Sequence, residues 1–345
     1  MRASGKFLIL ANVKTIPVSD LDQIVTLAER DLRALAGKRI FITGGTGYIG
    51  HWLVESILHA NRTLGLGAQL TILSRRAQTP LDGVTFVQGD VRDFAFPKDA
   101  FDFVIHAATD VIAQNTPLET YDVTAAGTRR VLEFTRICGA GRILMLSSGA
   151  VYGDIPPDVS HVPEDFRGGP RVDRVQSAYG IGKVATEWMG NAYGDAYGFV
   201  CTTARVFAQV GPHLALDKHF AAGNFIRDAL KGGPFTVNGD GTPTRSYMYG
   251  VDLAVWLWAI LVRGAHARAY NVGSDKSLSI YDLVVETARA AGLSAPVITV
   301  RDQPKPGALP APYVPDIMRA GTELGLQITV PLQDALRRTI DWYKD

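Results

Sequence analysis

The chain has 345 residues, enough for one large α/β domain or for a core domain with a smaller lobe. Apolar residues make up 47% and charged residues 20%, a composition that argues against intrinsic disorder. The formal net charge of +1 gives no reason to expect a nucleic acid or an anionic membrane surface as partner. The two cysteines, Cys138 and Cys201, are expected to be buried free thiols, which fits a cytoplasmic location. The longest apolar run, 253–262, is far shorter than the ~20 residues of a membrane span and predicts a core helix.

Residues 1–37 are predicted to form an N-terminal helical extension. Apolar residues recur there at helical spacing from Leu21 to Leu35, so the helix should pack on the main body. From 38 to 206, short β-branched runs alternate with helical patterns, which predicts a parallel, doubly wound α/β sheet. The predicted strands lie at 39–43, 70–73, 84–87, 103–107, 143–146 and 200–205, and the predicted helices at 52–60, 116–138 and 177–197. Beyond 207, Pro and Gly clusters predict a smaller lobe of mixed structure, 207–345, from which some segments return to the first domain.

A glycine-rich loop follows the first predicted strand and opens the first helix of this domain. Gly44, Gly47 and Gly50 allow a tight turn, a close approach of the backbone to a pyrophosphate, and close packing of helix on sheet. The N–H groups of the first helical turn would face the phosphates. The sequence therefore predicts a dinucleotide site; the alternative is an ordinary glycine-rich turn. The site would also include the remaining residues of the loop, Thr46, Tyr48 and Ile49.

The end of the second predicted strand indicates which dinucleotide is bound. It reads Ser74-Arg75-Arg76, with no carboxylate for a ribose 2′-hydroxyl and two guanidinium groups suited to a 2′-phosphate. The sequence therefore predicts NADP(H) as the cofactor, with NAD(H) as the second possibility. The alternative interpretation is that both arginines are solvated surface charges. After the third strand, Asp90 and Val91 are expected to lie at the adenine, unless Asp90 is a simple turn residue.

Tyr179 and Lys183 lie four residues apart on a predicted helix, so both side chains share one face. A nearby ammonium lowers the pKa of a phenol and makes it a useful acid and base. Ser148, at the end of the fifth predicted strand, could hydrogen-bond the reacting oxygen of a substrate and share its proton with Tyr179. The alternative for the Tyr–Lys pair is a helix-surface contact.

These motifs occur in one order, and together they resemble the extended short-chain dehydrogenase/reductases of the NAD-dependent epimerase/dehydratase family, which modify sugar nucleotides. The resemblance runs from about Lys38 to the end of the chain. Its residues are Gly44, Gly47, Gly50, Asp90, His106-Ala107-Ala108, Gly127-Thr128, Ser148, Tyr179, Lys183, Arg205 to Pro212, Gly239-Asp240-Gly241, Arg245, Asp252 and Asn271-Val272-Gly273.

The resemblance implies a Rossmann domain with a smaller C-terminal lobe that binds the nucleotide sugar. It implies that Ala107 and Ala108 contact the cofactor, that Arg245 contacts the nucleotide pyrophosphate, and that Asn224 and Phe225 line the nucleotide-sugar cleft. From the residues alone, Arg245 could instead form a surface salt bridge, for example with Asp252. The resemblance further implies a homodimer that pairs through the helices at 116–138 and 177–197.

One departure from the family pattern bears on the chemistry. Gly149 and Ala150 follow Ser148, where the 4,6-dehydratases of the family carry acidic residues, and neither can transfer a proton. We therefore expect a 4-keto reductase or a 4-epimerase that transfers a hydride at one sugar carbon. The alternatives are a 4,6-dehydratase whose acid and base come from elsewhere, a reductase of a non-sugar carbonyl, and a non-catalytic NADP-binding sensor.

The histidines give no reason to expect a metal site. His213 and His219 lie six residues apart without a cysteine or acidic cluster in a ligand pattern. His51 and His106 are expected to pack beside the glycine loop.

Overall fold

The computed structural model describes residues 14–109, 115–218, 220–304, 307 and 309–344. The strands in chain order are β1 (Arg39–Thr43), β2 (Gln69–Ser74), β3 (Val84–Gln88), β4 (Phe103–His106), β5 (Arg142–Ser148), β6 (Val200–Val206), β7 (Gln209–Val210), β8 (Phe235–Val237), β9 (Thr244–Arg245), β10 (Met248–Tyr249), β11 (Arg268–Val272), β12 (Leu278–Ser279), β13 (Ile298–Val300) and β14 (Pro312–Tyr313). The α-helices are α1 (Val18–Arg33), α2 (Tyr48–Leu64), α3 (Pro117–Cys138), α4 (Ala178–Tyr197), α5 (Ala221–Leu230), α6 (Gly250–Arg263), α7 (Ile280–Ala290), α8 (Met318–Leu324) and α9 (Leu332–Lys344).

Seven of the strands form one parallel sheet in the order β11-β6-β5-β4-β1-β2-β3. Helices cover both faces, as their buried apolar residues require. This confirms the predicted doubly wound α/β fold of the Rossmann type. The chain order reverses at β1, which pairs with β2 on one side and with β4 on the other. In such sheets the ligand crevice lies beyond the carboxyl ends of the strands at this reversal, here Thr43 and His106.

The second half of the chain contributes to both parts of the molecule. The buried helix α6 confirms the expected core helix, and its side chains pack in the same apolar core as those of the sheet. Strand β11 extends the sheet beside β6, a strand that the sequence pattern did not predict. Helices α5, α7 and α9 surround a second apolar core with short strand pairs at its edges. The domain boundary at residue 207 stays a prediction. Helix α6 and strand β11 are the segments beyond it that return to the sheet.

Helix α1 packs on the main body, as its apolar spacing predicted. Leu21, Ile24 and Leu32 are buried, and Ile24 belongs to the second apolar core. Asp31 accepts a hydrogen bond from Arg263 of α6 at 2.7 Å. Residues 1–13, including the rest of the predicted extension, lie outside the described residues. Cys138 and Cys201 are buried free thiols, as expected. Among the described residues, no helix is long and apolar enough to span a membrane.

Candidate active site

The glycine loop between β1 and α2 leaves no room for a side chain at Gly44 or at Gly50. Gly44 has a φ of +74°, and a Cβ there would lie 2.7 Å from the backbone of Ala107 at the end of β4. A Cβ on Gly50 would lie 2.3 Å from the carbonyl oxygen of Gly44. Helix α2 follows with Gly47 as its N-cap and without a side-chain cap, so its first N–H groups remain for a ligand. These residues fit the pyrophosphate of a dinucleotide.

The other residues of the loop differ in what their side chains contact. The Tyr48 hydroxyl donates to the carbonyl oxygen of Val210 at 2.9 Å and ties the start of α2 to β7. Ile49 packs against the main core, and Thr46 is half-buried on the loop. The side chains of Tyr48 and Ile49 therefore stabilise the loop, and a phosphate could be contacted by their backbone N–H groups.

The end of β4 forms the opposite wall of the crevice. The Thr43 hydroxyl accepts from the Ala108 N–H at 3.1 Å and lies 2.9 Å from Nδ1 of His106. Nε2 of His106 lies 3.1 Å from the Thr128 hydroxyl of α3. Burial, with a smaller effect of the Lys183 charge, lowers the pKa of His106 to about 3. His106 is therefore neutral and structural, as expected, and it fixes the backbone at Ala108.

The end of β2 presents two exposed arginines. Ser74 is buried and its hydroxyl donates to the carbonyl oxygen of Arg76 at 2.9 Å, while the Arg75 and Arg76 side chains point outward. At the end of β3, Asp90 accepts from Nε of Arg92 at 2.8 Å. This hydrogen bond holds the pKa of Asp90 below its usual range.

Val91 has a packing role next to this turn. It is buried, and a Cβ on Gly127 of α3 would lie 2.8 Å from it. Val91 therefore keeps α3 close to the sheet, and its contact with adenine stays a prediction.

Helix α4 brings Tyr179 and Lys183 to the crevice on one face, as their spacing predicted. Nζ of Lys183 lies 5.8 Å from the centroid of the Tyr179 ring. It donates to the Thr109 hydroxyl at 2.7 Å and to the Leu146 carbonyl oxygen at 2.6 Å. Burial lowers the pKa of Lys183 to about 7. Two hydrogen bonds, to Thr109 and to Leu146 of β5, thus hold the Lys183 side chain near the Tyr179 ring.

Ser148 joins this pair at the end of β5. Burial raises the pKa of Tyr179 to about 12, and a hydrogen bond with Ser148 acts in the opposite direction. The Ser148 hydroxyl also accepts from the N–H of Ala150 at 3.2 Å. The structure therefore brings together the three side chains that the sequence predicted as the catalytic group.

A second phenol, Tyr313 of β14, lies beside this group and was not predicted: a Cβ on Gly149 would lie 2.6 Å from its hydroxyl oxygen. Its segment is rich in proline and lies far along the chain from the other residues of the site. No local sequence pattern connects it to β5.

A buried polar network supports the strand that carries Ser148. Arg205 of β6 forms an ion pair with Glu187 of α4 at 2.8 Å, and Glu187 accepts from the Ser147 hydroxyl at 2.5 Å. Arg205 also donates to the Tyr152 hydroxyl at 2.9 Å, which donates to Asn271 of β11 at 2.7 Å. These contacts hold β5, α4, β6 and β11 in one arrangement beneath the site.

Arg245 of β9 approaches the same crevice from the smaller lobe. Its Nη1 donates to the Thr244 carbonyl oxygen at 2.8 Å, and its guanidinium carbon lies 5.3 Å from the Tyr313 ring centroid. Asp252 instead accepts from the backbone N–H groups of Thr329 and Val330 at 3.0–3.1 Å. The alternative of an Arg245–Asp252 salt bridge is therefore wrong.

The two residues expected to line the sugar cleft differ in position. Asn224 is half-buried and accepts from Arg227 at 2.9 Å. Phe225 is only 3% exposed and packs in the core of the smaller lobe. Apolar helical spacing on α5 buries this side chain, and its contact with a nucleotide sugar stays a prediction.

His51, Glu55 and His213 form a cluster that the sequence did not indicate. Oε1 of Glu55 lies 3.2 Å from Nδ1 of His51 and 3.4 Å from Nε2 of His213. The potential ligand atoms lie within 4.8 Å of one another, but the two imidazole rings stack at 3.9 Å and 10°. An ion bound in the plane of one ring would lie outside the plane of the other, so this arrangement is suited to hydrogen bonding. His219 lies outside the described residues.

Comparisons with known proteins agree with this geometry. Residues 40–273 match the NAD dependent epimerase/dehydratase family. UDP-glucuronic acid decarboxylase 1 of Xenopus tropicalis is 28% identical over 316 residues, which is 89% of this chain and 72% of that protein. The structure of epimerase Mth375 from Methanothermobacter thermautotrophicus has a TM-score of 0.77 at 24% identity, covering 93% of this chain and 96% of the other. Thermus thermophilus UDP-glucose 4-epimerase in complex with NAD has a TM-score of 0.73 at 25% identity, covering 89% and 99%. The chain belongs to the NAD-dependent epimerase/dehydratase family of enzymes.

Proposed function

We propose that this protein oxidises or reduces a nucleotide-linked sugar at C4, as a 4-epimerase or a 4-keto reductase. The observation that carries the proposal is the group of Ser148, Tyr179 and Lys183 at the strand ends, without a carboxylate at 149 or 150. The group can move one proton at one oxygen. Elimination of water would need a further acid and base beside it.

The residues act on the proton of a sugar hydroxyl. The bound nicotinamide would accept or return a hydride at the carbon that carries this hydroxyl. Tyr179 takes the hydroxyl proton as a phenolate and returns it as a phenol. The Lys183 ammonium favours the phenolate, and Ser148 donates a hydrogen bond to the reacting oxygen. Lys183 has acceptors for two of its three N–H donors among the described residues, which leaves one for a ligand.

The proposed cofactor is NADP(H), because the end of β2 offers exposed Arg75 and Arg76 and no acidic side chain. NADP(H) would favour the reductase, which consumes reduced cofactor, over the epimerase, which regenerates its own. The NAD complex of the related Thermus thermophilus epimerase favours the opposite choice. The dissociation constants of NAD+ and NADP+, measured for this protein, decide between the two cofactors.

The nucleotide-sugar site is proposed to lie between the sheet and the smaller lobe. Arg245 is directed there from β9, and its guanidinium is suited to a pyrophosphate. Asn224 is half-buried on the same lobe. We further propose a homodimer through α3 and α4, which expose Leu118 and Trp188.

A second candidate is decarboxylation of a nucleotide-linked uronic acid. The related proteins from frog and from Arabidopsis thaliana are UDP-glucuronic acid decarboxylases. Oxidation of C4 in a uronic acid places a ketone β to the C6 carboxylate, and such acids lose CO2 without an acid or base at 149 or 150. The same three residues could therefore serve this reaction.

Product analysis separates these reactions. The enzyme would be incubated with UDP-glucose, UDP-galactose and UDP-glucuronic acid, each with NAD+ or NADP+, and separately with a UDP-4-keto-sugar and NADPH. The products would be analysed by mass and by NMR. Inversion at C4 without a change in mass supports the epimerase, and loss of CO2 supports the decarboxylase. Net consumption of NADPH with a 4-keto-sugar supports the reductase. Absence of any turnover despite tight cofactor binding would indicate the non-catalytic sensor.

A further inference from the structure

His106 lies at the end of β4, and its imidazole contacts the hydroxyls of two other elements. Nδ1 lies 2.9 Å from the Thr43 hydroxyl of β1, and Nε2 lies 3.1 Å from the Thr128 hydroxyl of α3. We propose that His106 is a positioning residue for Lys183, to which it is linked by hydrogen bonds along two paths. This inference rests on the proposed function, because it names a further side chain on which the catalytic group depends.

The first path runs through the backbone that follows β4. The Thr43 hydroxyl accepts from the N–H of Ala108 at 3.1 Å. The next residue, Thr109, accepts from Nζ of Lys183 at 2.7 Å. His106 therefore fixes Ala108 through Thr43, and the residue that accepts from the Lys183 ammonium is the next one along the chain.

The second path runs through α3 to the helix that carries Lys183. Oγ1 of Thr128 lies 2.9 Å from Oγ1 of Thr186 on α4. Thr186 follows Lys183 by three residues, which is less than one helical turn. A Cβ on Gly182 would lie 2.9 Å from the Thr124 side chain, so α3 and α4 are in close contact at this turn. The path therefore ends on the turn of α4 from which Lys183 extends.

The donors and acceptors around His106 indicate which of its nitrogens carries the proton of the neutral ring. The Thr128 hydroxyl donates to the Thr124 carbonyl oxygen at 2.7 Å, so it is free to accept from Nε2–H. Nδ1 then accepts from the Thr43 hydroxyl, which itself accepts from Ala108. With the proton on Nδ1 instead, the buried Thr43 hydroxyl would have no acceptor among the described residues, which is costly. The contacts therefore favour the Nε2–H tautomer.

The exact place of the Lys183 ammonium matters because its surroundings are buried. Charges interact more strongly in a buried site than in water, so a small displacement of Nζ changes the stabilisation of the Tyr179 phenolate. Nζ lies 5.8 Å from the Tyr179 ring, and Glu187 is an acidic group near it. His106 is neutral and adds no competing positive charge. Its hydrogen bonds can therefore hold the ammonium in place without repelling it.

The kinetic test compares His106→Leu, which has no polar atom, with His106→Gln, whose amide N–H can take the place of Nε2–H and donate to Thr128. Hydride transfer to the nicotinamide is followed in single turnovers with UDP-glucose and UDP-glucuronic acid across a range of pH. We expect His106→Leu to lose about tenfold or more in rate near neutral pH, and His106→Gln to recover most of it. The acid side of the His106→Leu profile should move to higher pH, because a displaced ammonium stabilises the phenolate less.

Thr135→Val is the matched control for this test. Thr135 is a buried threonine on α3 whose hydroxyl donates to the Val131 carbonyl oxygen of its own helix at 2.8 Å. Its rate and pH profile should stay within about twofold of the parent. A His106→Leu enzyme with the pH profile of the parent, or no recovery in His106→Gln, would overturn the proposal.

A second measurement does not depend on turnover. Protein labelled with 15N in histidine reports by NMR which ring nitrogen carries the proton, and His106→Leu assigns the signals of this ring. We expect the proton on Nε2 in the parent. Thr128→Val should move it to Nδ1, because Nε2 loses its acceptor, and Thr135→Val should leave it in place. A proton on Nδ1 in the parent would refute the assigned tautomer and with it the two paths.

The link to Lys183 is measured on the same full-length chain labelled with 13C at the lysine ε-carbon, with Lys183→Met to assign the signal. Hydrogen bonds to the ammonium favour the charged form, so their loss in His106→Leu should move the titration of Lys183 to lower pH. The same Lys183 titration in the parent and in His106→Leu would refute the positioning role. If neither nucleotide sugar is turned over, the proposed function fails, and these NMR measurements still decide the role of His106.

Discussion

Nζ of Lys183 lies 5.8 Å from the ring centroid of Tyr179, one helical turn away, and is held there by the carbonyl oxygen of Leu146 at 2.6 Å. The ammonium is thus fixed between the end of β5 and the phenol, where it favours the phenolate. Its own pKa is lowered to about 7 by burial, so its charge is sensitive to pH near neutrality.

Lys183→Met should therefore remove most of the activity. Without the ammonium, the buried Tyr179 phenolate loses its nearest positive charge, and we expect the rate near neutral pH to fall about a hundredfold or more. The pH–rate profile of the parent should fall on its alkaline side as Lys183 loses its proton. The matched control is Lys276→Met, which changes an exposed lysine. A Lys183→Met enzyme with the activity of Lys276→Met would contradict the role of the ammonium.

Gly50→Ala should abolish cofactor binding. The new Cβ would lie 2.3 Å from the Gly44 carbonyl oxygen, so the loop must move and its N–H groups lose their alignment. We expect the dissociation constant of the dinucleotide to rise by about a hundredfold, measured by calorimetry. Gly141→Ala is the matched control, because a Cβ there meets nothing within 4 Å. Unchanged affinity in Gly50→Ala would show that the dinucleotide does not use this loop.

Arg76→Ser and Arg75→Ser test the cofactor preference. If these side chains contact a 2′-phosphate, the dissociation constant of NADP+ should rise about tenfold for each, while that of NAD+ stays unchanged. Arg301→Ser, an exposed arginine in the smaller lobe, serves as the control. Tighter binding of NAD+ than of NADP+ by the parent would reverse the preference and favour the epimerase.

Glu55→Gln should destabilise the protein in a pH-dependent manner. Burial alone would raise the pKa of Glu55, but the nearby His213, the His51 ring and the Ile16 N–H stabilise the carboxylate and hold the pKa below its usual range. A depressed carboxyl pKa contributes stability at neutral pH that is lost as the pH falls through the pKa of the folded state. Removing the charge should thus cost about 1–3 kcal/mol at neutral pH and less in acid. Urea unfolding at both pH values measures this, with exposed Glu29→Gln as the control. A cost that is equal at both pH values would contradict the role of the charge.

Trp188→Glu should produce monomers if the chain pairs through α3 and α4. Trp188 is 69% exposed, and a carboxylate in an apolar interface is costly. Light scattering on a sizing column measures the mass. Met318→Glu alters a similarly exposed residue on α8, which lies outside the proposed interface. A parent protein that is already monomeric would refute the proposed dimer.

Local patterns predicted the parts of the site that depend on spacing within one element. The glycine loop and the Tyr179–Lys183 pair are of this kind, because a strand–turn–helix junction and a helical turn fix their geometry. Strand β11 was not predicted, since Arg268 and Asn271 interrupt its apolar run and its partner β6 is remote in the chain. Tyr313 was missed for a similar reason: only the folded chain brings β14 to the end of β5.

The same distinction explains why the cluster of His51, Glu55 and His213 was not predicted from the sequence. His51 and Glu55 are one turn apart on α2, but His213 reaches them from a loop with a φ of +69°. A non-glycine residue in this conformation has no reliable signal in a single sequence. For Phe225 two predictions differ: helical spacing predicts burial, which the structure shows, and the resemblance implies a ligand contact.

The central claim is that hydride passes between a sugar carbon and the nicotinamide, with Tyr179 moving the proton. The most direct measurement uses UDP-glucose and UDP-glucuronic acid labelled with deuterium at C4, in single turnovers quenched before the label returns to the sugar, and follows the label into the enzyme-bound cofactor by mass spectrometry. The account predicts deuterium in the reduced cofactor for the parent and none for Tyr179→Phe, with cofactor affinity retained. Transfer by Tyr179→Phe at the rate of the parent, or conversion of the sugar with no label in the cofactor at any quench time, would contradict it.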